Sequence, residues 1–220
     1  YGEYSLVEVQ APYGYALDKT PVAFSVSSEN AEKENSLTIV KVEKQNTAQK
    51  GKISVRKTGD IFTSVNMASS AYTDENGELV VNSTTYTPVF ADGDLSGAVF
   101  QVIAVEDIVT LDGTTRAYAG DVVAEITTDE NGYAETEPLY LGKYEVREIK
   151  APDGYVLNNE PKDVELTYAG QEFEVRDTVN TAFENEYQSV RISLSKVIEN
   201  DELFGIYGND CYTSVRFGLF

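Results

Sequence analysis

Hydrophobic and polar positions alternate with a period of two over much of this chain, most clearly at 98–104, 121–127 and 162–168. Residues two apart on a strand share a face, so each stretch reads as a strand with one side toward a core. No stretch carries the 3.6-residue period of a long amphipathic helix. Runs of Gly, Asp and Asn punctuate the alternation, and the same five residues, TDENG, occur at 73–77 and 128–132. They read as hairpin turns with Gly at the positive-φ position, since neither run has the ligand spacing of a calcium-binding hand.

One strand pattern occurs twice. Residues 2–17 read GEYSLVEVQAPYGYAL and residues 142–157 read GKYEVREIKAPDGYVL. Within the second copy Tyr144, Val146 and Glu148 point one way, and Lys143, Glu145 and Arg147 the other. A carboxylate therefore falls on the apolar face, at Glu148 and again at Glu8. An unpaired carboxylate is costly to bury, so each needs a partner.

A second repeated pattern supplies candidates. GKISVRK at 51–57 aligns with VRISLSK at 190–196, and each ends its apolar stripe on an inward lysine, Lys57 or Lys196. Upstream of each lies an asparagine, Asn46 or Asn185, and in FENEY Phe183, Asn185 and Tyr187 share the apolar parity. Between Lys57 and Asn185 there is one complete set of inward Lys, Glu and Asn. The earlier segment has Glu8 and Asn46 alone, and the later one Lys196 alone.

Burial disfavours the charged forms of amine and carboxyl alike. A neutral lysine amine is a nucleophile, and a carboxyl beside the Asn amide can polarise its carbonyl and shuttle protons. Attack on the Asn side-chain carbon would release ammonia and leave an amide between first and last strands, helped by proximity. Strand parity is equally consistent with a buried Lys–Glu ion pair and a hydrogen-bonded Asn.

YSLVEVQAPYGY and YEVREIKAPDGY resemble the E-box of Cna B-type (SpaA-like, prealbumin-like) domains of Gram-positive surface proteins and pilins, and FEN resembles that family's last strand. The resemblance spans essentially the whole chain. It implies an all-β fold of tandem immunoglobulin-like sandwiches and a Lys–Asn isopeptide bond catalysed by the E-box Glu. Carried over by position, the catalytic residues are Glu148 and Glu8, and the crosslinking residues are Lys57, Asn185, Asn46 and Lys196. Asn180 is a weaker alternative partner, outside the FENEY alternation.

Composition narrows the function further. The formal net charge is −20, with 17 basic and 37 acidic residues and no His. That opposes nucleic-acid binding and docking on anionic lipid, and it suits an extracellular stalk. Cys211 is the single cysteine, so no disulfide forms within the chain and no Cys–His nucleophile exists. No cofactor or metal site is expected. Paired carboxylates in a cleft, which a glycosidase needs, are missing, because the conspicuous Glu residues have core parity.

The expected organisation is the C-terminal part of one domain at 1–49, a complete domain at 50–189 and the N-terminal part of a third at 190–220. The chain opens on Tyr1 inside one motif and closes on Phe220 early in another, which reads as a segment of a longer protein. The spacing from Lys57 to Phe100 exceeds that from Lys196 to Phe217, placing an insertion near 58–95 with its own turn at 75–77. This insertion is the best place for ligand contact, although a hairpin that only covers a sheet edge fits it better. The expected function is a structural stalk on a Gram-positive cell wall, partnered by neighbouring domains. Its chemistry is one self-crosslinking turnover rather than enzymatic. The alternative is an adhesin segment that binds host matrix protein or glycan.

Overall fold

Two-residue alternation resolves into two stacked sheets. The computed structural model describes residues 1–28, 32–34 and 37–193, and every regular element among them is a strand. Near the start β1 (Gly2–Leu6) pairs with β2 (Val22–Val26) and β3 (Glu32–Glu34) with β4 (Leu37–Ile39). Short β5 (Lys50–Gly51) leads into β6 (Ile53–Thr73), which turns back as β7 (Leu79–Asp94). There follow β8 (Val99–Ala104), β9 (Ile108–Val109), β10 (Thr115–Ala117), β11 (Val122–Thr127), β12 (Tyr133–Glu135) and β13 (Leu139–Tyr140). The E-box strand is β14 (Gly142–Lys150), and β15 (Lys162–Leu166) and β16 (Val179–Asn185) complete the set.

One sheet has the order β11-β8-β14-β15 and the other β12-β6-β16, with β7 also on β6. Their inward residues make one core. Ile53, Val55 and Phe183 come from the second sheet, and Phe100, Val102, Tyr144, Val146, Val164 and Leu166 from the first. Phe100 and Phe183 meet across it with ring centroids 4.8 Å apart. Each such side chain contributes about 1.5–3 kcal/mol by leaving water, which fixes strand register wherever one face is buried.

Burial follows the expected parity through Tyr144, Val146 and Glu148, and through Ala98, Phe100, Val102 and Ala104. It departs in two places. A bulge between Val122 and Ala124 resets the alternation of β11, so Val122 is exposed while Ile126 is buried. Tyr187, which shares the parity of Asn185, lies beyond the end of β16 and is half-exposed, packed on Tyr155 and Phe90.

The insertion is a hairpin, as its turn suggests, and it extends the first core strand. β6 and β7 stay paired from Thr58 with Asp94 out to Thr73 with Leu79. Asp74 Oδ1 accepts hydrogen bonds from the backbone N–H of Asn76 and Glu78, and Gly77 (φ 84°) closes the turn. The TDENG turn at 128–132 repeats this with Asp129, Asn131 and Tyr133. Both runs are thus Asx-type turns, and among the described residues no cluster of metal-ligating side chains occurs.

Residues Tyr1–Gln188 form one compact unit and Ser189–Phe220 a second, of which 189–193 are described and hold no strand. Lys196 and Cys211 lie outside the described residues. Inside the first unit, the segment before residue 50 is laced to the sandwich. Gln49, only 1 % exposed, donates from Nε2 to the carbonyls of Gly170 and Phe173 and accepts from Ala169 N–H. Gln171 answers, its side-chain oxygen accepting from Ala11 N–H and its backbone oxygen from Leu17 N–H. Tyr13 packs on Tyr168 with centroids 4.6 Å apart.

Candidate crosslinking site

Three strands converge on the site. β16 runs parallel to β6, pairing Phe183 with Lys57 and Asn185 with Gly59, while Glu148 comes from β14 in the facing sheet. All three side chains end in the core, with Lys57 0 %, Glu148 1 % and Asn185 3 % exposed. Lys57 Nζ is 3.5 Å from Glu148 Oε1. Asn185 Nδ2 donates to the same Oε1 at 3.2 Å and to Oε2 at 3.1 Å. One carboxylate oxygen therefore touches both the amine and the amide nitrogen.

Burial holds the Lys57 amine below its ordinary 10.5, and the charge of Glu148 opposes that shift. Desolvation is the largest influence and outweighs the opposing pull of the Glu148 carboxylate and, more weakly, of Glu184. Neither Lys57 Nζ nor Asn185 Oδ1 has a hydrogen-bond partner. The carboxyl faces the amide nitrogen, not the carbonyl oxygen that the sequence reading has it polarise. Such a set can in principle offer an amine whose charged form burial disfavours, a carboxyl able to carry a proton and an amide nitrogen held beside it.

The first E-box copy reproduces half of this. Asn46 Nδ2 donates to Glu8 Oε1 at 2.8 Å and Oε2 at 2.7 Å, in a partly exposed setting. Among the described residues no lysine pairs with Glu8; the nearby Lys44 pairs instead with Asp18 at 3.2 Å. Asn180 is exposed and accepts from Ser54 Oγ, on the opposite face of β16 from Asn185, which removes it as a partner for Lys57.

Several participants escape a reading of side-chain type. Asn158 N–H donates to Glu148 Oε2 at 2.9 Å, and Val156 carbonyl accepts from Asn185 Nδ2 at 2.8 Å. These are backbone groups, so composition is silent about them. Gly59 leaves a sequence trace, being a glycine at inward parity two residues after Lys57. A Cβ there would stand 2.6 Å from Asn185 O and 2.7 Å from Leu95 Cδ1. Gly132 anchors the lysine from the other side, its carbonyl accepting from Lys57 N–H at 2.7 Å.

Comparison with known proteins gives a family-level match. The SpaA prealbumin-like fold domain matches residues 1–41 and 89–181, more than half of the chain, and includes both E-box glutamates. The unmatched stretch from 42 to 88 holds Lys57, Asn46 and most of the hairpin, and Asn185 lies just past the match. The trypsin-resistant surface T6 protein of Streptococcus pyogenes serotype M6 is 27 % identical over 157 residues, covering 71 % of this chain. The chain spans a quarter of that relative's length. Among solved structures, the Bacillus anthracis TIE protein aligns over 84 % of this chain and 25 % of its own, at 22 % identity and TM-score 0.46. The minor pilin GBS52 of Streptococcus agalactiae aligns over 69 % and 50 %, at 17 % identity and TM-score 0.38.

Proposed function

Because the chain belongs to the SpaA prealbumin-like fold family, we propose that it is a load-bearing segment of a Gram-positive cell-surface protein or pilin, closed by a Lys57–Asn185 amide. The observation that carries this reading is the shared Oε1 of Glu148, 3.5 Å from Lys57 Nζ and 3.2 Å from Asn185 Nδ2 in a buried chamber. Glu148 acts as the proton carrier, and the reaction turns over once. Residues 50–189 are the complete domain. Residues 1–49 close a preceding domain and 190–220 open a following one, to which Lys196 belongs. Neighbouring domains of the same extracellular protein are the partners.

Denaturing intact-mass spectrometry tests this. The chain should weigh about 17 Da less than its sequence, one ammonia lost, and Glu148→Ala should restore the full mass while keeping the sheet signature. A parent chain at full sequence mass overturns the crosslink.

The adhesin reading draws on one observation. A bulge between Phe62 and Ser64 puts Phe62, Val65 and Met67 on the same hairpin face as Phe90, Pro88 and Tyr86, and this stripe is exposed. Exposed apolar stripes of this kind mark interaction surfaces. Binding to a matrix-protein or glycan array that is lost on shortening the hairpin would favour it.

A further inference from the structure

Three acceptors converge on the side-chain nitrogen of Asn185: Val156 carbonyl at 2.8 Å, Glu148 Oε2 at 3.1 Å and Glu148 Oε1 at 3.2 Å. A planar amide NH2 has only two hydrogens to give. The same surplus surrounds Asn46, whose nitrogen meets Glu8 Oε2 at 2.7 Å, Glu8 Oε1 at 2.8 Å and Ala16 carbonyl at 3.1 Å. Two copies of the E-box, with different neighbours, thus build the same three-acceptor cup around an asparagine nitrogen.

The E-box turn is what delivers the third acceptor. Tyr155 N–H closes the turn on Pro152 carbonyl at 3.1 Å, with Gly154 at φ 87°. The following residues lace onto the chain just past β16: Val156 N–H donates to Glu186 carbonyl and Gln188 N–H to Gly154 carbonyl. The first copy has the equivalent bonds, Tyr15 to Pro12, Ala16 to Thr47 and Gln49 to Gly14. This lacing leaves the carbonyl of Val156 or Ala16 aimed at the asparagine. The turn also returns Asn158 N–H, or Asp18 N–H in the first copy, to the glutamate's Oε2.

We propose that the Ala-Pro-x-Gly-Tyr turn of the E-box is a leaving-group cradle, in which Val156 carbonyl, a positioning group, completes with Glu148 a site for the departing ammonia. The inference rests on the crosslinking reading above. Neutral Lys57 Nζ attacks Asn185 Cγ with its lone pair, and the carbonyl π pair moves to Oδ1. One Nζ proton passes to a Glu148 oxygen and then to Nδ2. The oxygen pair reforms the carbonyl as the Cγ–Nδ2 bond breaks, giving one secondary amide and one NH3. Before departure Nδ2 is tetrahedral and carries three hydrogens, one for each acceptor. The cup therefore fits the leaving state better than the ground-state amide, which is the condition for acceleration. A surface depression has Val156, Asn158, Glu184, Asn185 and Glu186 among its lining residues, and the departing ammonia would leave by it.

The test weakens that one carbonyl. Cell-free translation can place the α-hydroxy analogue of leucine at position 157, turning the Val156–Leu157 amide into an ester, whose carbonyl is a poorer acceptor. Ammonia loss is followed by intact mass against time, alongside the parent and a chain with the ester at position 159. The expected result is at least tenfold slower loss for the ester at 157 and parental speed for the ester at 159. The side-chain nitrogen isotope effect should rise only in the ester at 157, because departure becomes slower there. Melting of the same esters in a Lys57→Met background, which cannot react, should agree within a few degrees and excludes a folding defect as the cause. A chain with the ester at 157 that reacts within twofold of the parent, or no faster than the ester at 159, overturns the role of Val156 alone. A parent that never loses ammonia overturns the crosslink reading and this inference together.

Discussion

Asn185 sits two residues beyond Phe183, the residue that pairs with Lys57 across the parallel β6–β16 ladder. Both side chains lie on the core face, so an amide between them would tie the first core strand to the last, side by side and pointing the same way.

The proposed tie would set the response to Lys57→Ala. Losing closure of a loop on the order of 100 residues should cost about 4–5 kcal/mol. Leaving Glu148 buried beside a methyl, without the amide N–H that would face it, adds to the loss. Denaturant unfolding should report both as a lower midpoint. In single-molecule stretching, the parent should withhold the length between the two residues, and the variant should release it. Equal extensions would end the load-bearing reading.

Gly59→Ala should disturb the reaction without touching any reacting atom. The new methyl meets Asn185 backbone at 2.6 Å, and backbone yields less readily than a side-chain tip. Overpacking of this kind costs about 1–3 kcal/mol. The fraction of chains that have lost ammonia should fall well below that of the parent at equal times after synthesis.

In Asn185→Ala the amine cannot react and Lys57 remains titratable. Folding holds its pKa below the ordinary 10.5, so between the folded and unfolded values the unfolded chain binds the extra proton. Stability should therefore rise with pH through that window, by at most about 1.4 kcal/mol per pH unit, and level off lower beneath it. An amide nitrogen does not titrate, so the parent should lack this slope. Urea midpoints from pH 7 to 11 compare the two directly, and parallel curves would contradict the assignment.

Replacing residues 64–88 by a two-residue Asn-Gly turn should leave crosslinking and melting temperature within a few degrees of the parent. Among the described residues between Phe62 and Phe90 most are exposed and none belongs to the buried core. A collapse of either quantity would show that the outer hairpin supports the sandwich.

The site was legible where side-chain type and parity coincide. Lys57, Glu148 and Asn185 each break an apolar stripe, and a polar residue at core parity announces itself. The hairpin was half legible. Its turn chemistry at Asp74–Gly77 marked a hairpin, but the polar Ser, Thr and Asn on both sides gave no measure of how far the pairing runs, which cross-strand hydrogen bonding sets. The bulges in β6 and β11 left no mark, because a one-residue register shift is set by packing against neighbours and not by the residue that slips. Val156 and Asn158 could not be found at all, since they act through groups every residue possesses. Asn180 shows the converse: the right residue type one face away from the chemistry, bound to Ser54.

Gln49 has a consequence for reach. Pulling Gln49 away from residues 169–173 would bare a buried amide and three backbone groups at once, which opposes bending there. Flexible tethers lengthen only as the square root of their residue count. A stretch pinned in this way keeps the length that its strands give it.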